Sequence, residues 1–128
     1  MQERKIFNTT KVLRTNFAFP QAVIAGDLIF VSGTTGIDTA TGTLASDFES
    51  QARQAFKNVQ TIVEEAGSDI SKIVKTTIFM VAGADPDFKS INKVYTEFFG
   101  ENAPARSAPQ VMPFPGTILV SVECIAML

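Results

Sequence analysis

Histidine and tryptophan are both missing from these 128 residues, and cysteine occurs once, at Cys124. Without histidine there is no Ser-His-Asp or Cys-His nucleophile system, no Cys/His zinc site and no imidazole for acid–base work. A lone thiol excludes a disulfide framework. Because Met1 to Phe7 also lacks the apolar stretch of a secretion signal, a reducing, cytoplasmic setting is expected. Positive charge is scarce: 11 Lys and Arg are scattered against 13 Asp and Glu, with no basic stripe to neutralise a run of phosphates, which makes nucleic acid a poor partner. Long apolar runs are missing too. The longest, Ile118 to Leu128, is broken by Ser121 and Glu123 and falls short of the roughly 20 residues that span a bilayer, so no membrane partner is expected. Gly33-Thr34-Thr35-Gly36 lacks the lysine and the spacing of a phosphate loop, no G-x-G-x-x-G occurs, and no cofactor is expected.

What is present suffices for one domain with a proper core. Residues 22 to 33 form two short apolar runs around Gly26-Asp27, the pattern of a hairpin, and Gly33 to Gly42 suits a loop. A helix is expected from Ser46 as cap with Glu49 closing a capping box. Its apolar face would be Phe48, Ala52, Ala55, Phe56, Val59, Ile62, Val63 and Ala66, with Gly67 as its stop. Ile73 to Val81 reads as a strand, being β-branched and aromatic. A second helix is expected with Asp85 as cap and Pro86 at its first position, burying Phe88, Ile91, Tyr95, Phe98 and Phe99 and ending at Gly100. Pro104 to Pro115, with four of the six prolines, reads as a stiff loop, and Thr117 to Met127 as a long strand. This order argues for an α+β sandwich: a mainly antiparallel sheet with two helices on one face. In the last strand Ile118, Val120, Val122, Cys124 and Ala126 would face the helices, while Leu119, Ile125 and Met127 share the other face with Glu123. An apolar second face is most economically covered by another copy of the chain, so a homo-oligomer is expected.

Two charged residues stand out. Prolines on both sides stiffen the backbone around Arg106, which suits a guanidinium to bidentate capture of a carboxylate, though an interface salt bridge fits as well. Glu123 lies in an otherwise apolar strand, where a carboxylate is costly unless paired or hydrated and where burial would raise its pKa toward the range of proton transfer. Asn92 sits on the shoulder of the second helix's apolar stripe, and Ser32-Gly33 ends a strand where glycine allows close backbone approach. Cys124, on the core face, gets no catalytic role.

Pro104-Ala105-Arg106-Ser107, followed by the strand ending Val122-Glu123-Cys124-Ile125-Ala126, resembles the signature of the Rid family, also called the YjgF family, of imine and enamine deaminases. Further matches run through Leu28 to Gly33, Gln51 to Ala55 with Asn58-Val59, Gly67, Ile73 to Thr77, and Phe88 with Asn92, Tyr95 and Phe98-Phe99. The resemblance implies a chorismate-mutase-like fold in a homotrimer with clefts between subunits. It also implies hydrolysis of small 2-imino or enamine acids to 2-keto acids and ammonia. Arg106 would clamp the substrate carboxylate and Glu123 would direct the attacking water, with Ser32, Gly33, Asn92 and the backbone of Ala108 lining the pocket. Two positions depart from the pattern: Phe19 stands where many members have tyrosine, and Ala108, before Pro109, where many have cysteine. Both make the pocket less polar, and Phe19 with Phe114 favours a larger or more apolar side chain. The competing functions are a non-catalytic module that senses a small keto or amino acid and, ranked last, a ribonuclease-type inhibitor of translation.

Overall fold

The computed structural model describes residues 3–128. Its strands are β1 (Arg4–Phe7), β2 (Ala22–Ala25), β3 (Leu28–Thr35), β4 (Ile73–Val81), β5 (Ala105–Ser107), β6 (Gln110–Val111) and β7 (Val120–Met127); its helices are α1 (Phe48–Glu65) and α2 (Lys89–Phe99). They form one sheet in the order β1-β2-β3-β7-β4-β5, antiparallel throughout except that β5 and β6 run parallel to β4. Both helices cover one face. No helix among the described residues is long and apolar enough to cross a membrane.

The core follows from alternation on the strands and three-four spacing on the helices. Ile29, Val31, Ile78, Met80, Val120, Val122 and Ala126 are buried under Ala52, Ala55, Phe56, Val59, Ile62 and Val63 of α1 and Ile91 and Val94 of α2. Phe56 joins the helices, its ring 5.7 Å from Tyr95 and 5.6 Å from Phe98. Each such aromatic contact adds about 1 kcal/mol to the area it buries. Two buried amides fasten the loops to α1. Gln51 donates to the carbonyls of Ala45 and Thr117 and accepts from the Leu119 amide, and Asn58 donates to the carbonyls of Thr35 and Ile37.

Several boundaries differ from the sequence expectation. The cap of α1 is Asp47, not Ser46: its carboxylate accepts from the Ser50 amide at 2.9 Å. Glu49 is thereby one position short of a capping box and pairs instead with Arg53 and Lys93. At the other end Gly67, at φ +99, closes α1 as expected, with Ser68 N–H donating to the Val63 carbonyl across the turn. Helix α2 starts at Lys89 rather than Pro86. Asp85 still serves its end from within the preceding turn, accepting from the amides of Ser90 and Ile91 at 3.3 and 2.9 Å. The Pro104–Pro115 stretch holds the short strands β5 and β6, and Thr34 and Thr35 belong to β3 rather than to a loop. In the last segment β7 begins only at Val120, so the alternation breaks just before it: Leu119 packs against the core and Ile118 does not. The outer face of the sheet exposes Ile6, Leu28, Phe30 and Met127 at 36 to 65 % of their surface.

Candidate active site

Strand β3 pairs with β7 in two registers. Val31 stands opposite Cys124 and Thr34 opposite Val122, so Ser32 and Gly33 together face the single residue Glu123. This is a β-bulge, a device that re-aims side chains and breaks the ladder locally. Glycine fits there without displacing a neighbour, since a Cβ on Gly33 would come within 2.9 Å of Ser121 Oγ. Above the bulge runs the irregular segment 8–21. The Ser32 hydroxyl donates to the Pro20 carbonyl at 2.7 Å and the Ser32 amide to the Gln21 carbonyl at 2.9 Å, which ties that segment to β3. Gln21, itself buried, holds the rest of it through the Val12 carbonyl and the Thr9 amide.

Between this segment, the bulge and the 114–118 turn lies a cavity of about 630 Å³ lined by Phe19, Ser32, Gly33 and Glu123, along with Phe114 and Ile118. Among the described residues, the charged ones that line it are Glu123 and Arg14. The Glu123 carboxylate is half-exposed rather than enclosed and forms no ion pair among the described residues. Next to it in sequence, Cys124 points into the core, where burial, with a smaller contribution from the Glu123 charge, pushes its thiol from an ordinary 9.0 up to about 12. Such a thiol stays protonated and unreactive at neutral pH.

Arg106 is elsewhere. On β5 it stands in register with Thr76 of β4, and Thr76 in turn with Cys124, all on the helix side of the sheet; Glu123 is in register with Thr77, on the outer side. One copy of the chain therefore places the guanidinium and the carboxylate on opposite faces. Arg106 is preorganised where it is. Its Nη1 donates to Asn92 Oδ1 at 2.9 Å and its guanidinium lies 5.0 Å from the centre of the Tyr95 ring. Tyr95 is fixed in turn by a 2.7 Å hydrogen bond with the Thr76 hydroxyl, and burial above all raises its pKa, which keeps the phenol neutral beneath the cation. Ala108, between β5 and β6, packs against the core edge on this side and does not line the cavity.

The sequence-expected residues thus form two groups: Phe19, Ser32, Gly33 and Glu123 in the cavity, and Arg106 with Asn92 beside α2. Sequence reading missed Tyr95 and Thr76 as supports of Arg106, and Arg14 altogether. Tyr95 carried a signal, since it is the only tyrosine beside 11 phenylalanines and so the only phenol on an apolar stripe. Arg14 carried none.

The protein-family model described as Endoribonuclease L-PSP matches residues 9–128. A 2-iminobutanoate/2-iminopropanoate deaminase of Rattus norvegicus is 37% identical over 126 residues, which cover 97% of this chain and 90% of that protein. Among solved structures, RidA from an Antarctic Psychrobacter superposes with a TM-score of 0.90 at 31% identity, covering 97% of this chain and 99% of that one. TdcF of E. coli, solved with bound serine, superposes with a TM-score of 0.88 at 34% identity over 97% and 98% of the two chains. With a family model spanning nearly the whole chain and solved Rid proteins reproducing its layers, the chain belongs to the Rid family, also called YjgF or RutC, and its sandwich is that family's chorismate-mutase-like fold.

Proposed function

We propose that this protein is a cofactor-free hydrolase that converts reactive 2-imino and enamine acids to 2-keto acids and ammonia, in clefts each completed by two copies of the chain in a homotrimer. One copy contributes the cavity with Glu123, Ser32, Gly33 and Phe19, and its neighbour contributes Arg106, held by Asn92 and Tyr95, with the Ala108 backbone beside it. The observation that carries the reading is the bulge: it sets a hydroxyl and a bare glycine opposite the Glu123 carboxylate, all three lining one cavity, in a chain 37% identical to an imine deaminase. The apolar outer face, uncovered in one copy, supports assembly.

The chemistry needs little more. A protonated imine is already electrophilic, so positioning substrate and water supplies most of the acceleration. Arg106 pairs with the substrate carboxylate through two parallel N–H···O bonds. Glu123 accepts a proton from water as its oxygen bonds to the C=N carbon. It then returns that proton to nitrogen and takes the remaining hydroxyl proton as the C=O bond forms and the C–N bond breaks; passing this second proton to the released ammonia leaves keto acid and ammonium.

The test follows imine loss after an amino-acid oxidase generates 2-iminobutanoate or 2-iminopropanoate. Arg106→Ala is expected to raise KM, and Glu123→Gln to lower kcat roughly a hundredfold or more with the fold retained. Full activity of Arg106→Ala rejects the reading. Bound serine in TdcF favours a second reading, a non-catalytic binder of a small amino or keto acid. Carboxylate binding with no accelerated ammonia release across several imines would select it. RNA cutting that survives nuclease removal and vanishes in Glu123→Ala would select the ribonuclease reading instead.

A further inference from the structure

We propose that Arg14 is a specificity residue that receives an acidic group at the far end of the substrate side chain, so that the preferred substrates are imines of dicarboxylic amino acids. This rests on the imine-hydrolase reading and narrows it.

Arg14 lines the same cavity as Glu123. Partly exposed, it is tethered at two points: Nη2 donates to the Phe19 carbonyl at 3.0 Å, and the guanidinium lies 4.8 Å from the centre of the Phe17 ring. It makes no ion pair with any described residue, and its Nε is buried without a protein acceptor. Nη1 makes no hydrogen bond to any described residue and is the donor left for a carboxylate. An arginine fixed by a carbonyl and a ring, with its remaining donors unused, is preorganised for an anion.

Charge points the same way. A zwitterionic imine of a neutral side chain, with Glu123 and the neighbour's Arg106, leaves the Arg14 charge uncompensated; a second carboxylate on the substrate balances it. Glu123 cannot play that part while it handles the water. Phe114 and Ile118 offer apolar wall for the methylenes between the two carboxylates.

The experiment compares imines generated by an oxidase from glutamate and from glutamine, which differ in charge and little in shape. The wild-type ratio of kcat/KM, acid over amide, is expected to exceed tenfold, to fall to near one in Arg14→Gln and to be largely retained in Arg14→Lys. A wild-type ratio near one, or a ratio that Arg14→Gln leaves unchanged, overturns the proposal. Binding of 2-oxoglutarate against 2-oxopentanoate, measured by calorimetry on the same proteins, gives a readout without turnover: a preference for the dicarboxylate that Arg14→Gln removes is required. If no imine is hydrolysed while that preference persists, the hydrolase reading fails and the Arg14 site stands. If imines are hydrolysed without the preference, the Arg14 site fails alone.

Discussion

Gly33 and Gly36 look alike in sequence and differ in what surrounds them. A methyl on Gly33 meets the end of the Ser121 side chain at 2.9 Å, a hydroxyl that can rotate, whereas a methyl on Gly36 overlaps the Gln51 carbonyl in the backbone of α1. Gly33→Ala is therefore expected to cost about 1 kcal/mol and to be relieved by adding Ser121→Ala, while Gly36→Ala costs roughly 3 kcal/mol or more because a helix must move. Denaturant melts of the three variants check this. Equal losses for the two glycines would contradict it. At this scale the sequence displayed Glu123 and Arg106 well, because a carboxylate in an apolar strand and an arginine between prolines are locally unusual. It concealed Arg14. Nothing near Arg14 marks it, and its place in the cavity depends on Gln21 and Ser32 fastening the 8–21 segment across β3.

The helices were legible because three-four spacing survives in any context, and only their first residues were displaced. Ser46 and Asp47 are both good caps, so which one serves is decided by where the chain turns into α1. At α2 the turn from Asp85 leads through Phe88 at φ +61, an uncommon left-handed conformation for a side chain of that size, before the helix begins. The Asp85 carboxylate on the Ser90 and Ile91 amides stabilises that entry. Asp85→Ala is expected to cost about 1 to 2 kcal/mol, and also to raise KM, because Asn92 and Tyr95 ride on the helix that Asp85 anchors. A stability loss with KM unchanged would show that Arg106 is positioned without α2. Between the helices, Arg53 bridges Glu97 at 2.8 Å and Glu49 at 3.1 Å, and its guanidinium holds both carboxylates below the ordinary 4.5. A carboxylate whose folded pKa is depressed adds stability that is complete above its unfolded value and is lost as pH falls through the folded one. The melting temperature should thus be flat from neutral pH to about 5 and decline below about 4.5, with a shallower decline in Arg53→Met. The pairs are partly exposed, so the effect at neutral pH is small. Strands β5 and β6 were illegible for a different reason: three and two residues carry no periodicity, and their partner β4 lies some thirty residues upstream.

For the whole molecule, the decisive feature is parity. Arg106 shares a face with Thr76 and Cys124, and Glu123 shares one with Thr77, a difference of one residue in register that no local pattern announces. If the two groups act on one substrate, they must come from different copies, and mixing inactive variants tests that directly. Purified Arg106→Ala and Glu123→Ala, each with little activity alone at substrate concentrations near the wild-type KM, are unfolded together and refolded as a 1:1 mixture assayed at that concentration. A site is intact when its Glu123 comes from the arginine variant and its Arg106 from the glutamate variant, each with a chance of about one half, so about a quarter of wild-type activity should return. That fraction is the same for a ring of two copies as for a ring of three, so the result does not depend on the number of subunits, which native mass measurement reads separately. A site built within one copy gives no recovery at any mixing ratio, because every chain then lacks one of its two groups.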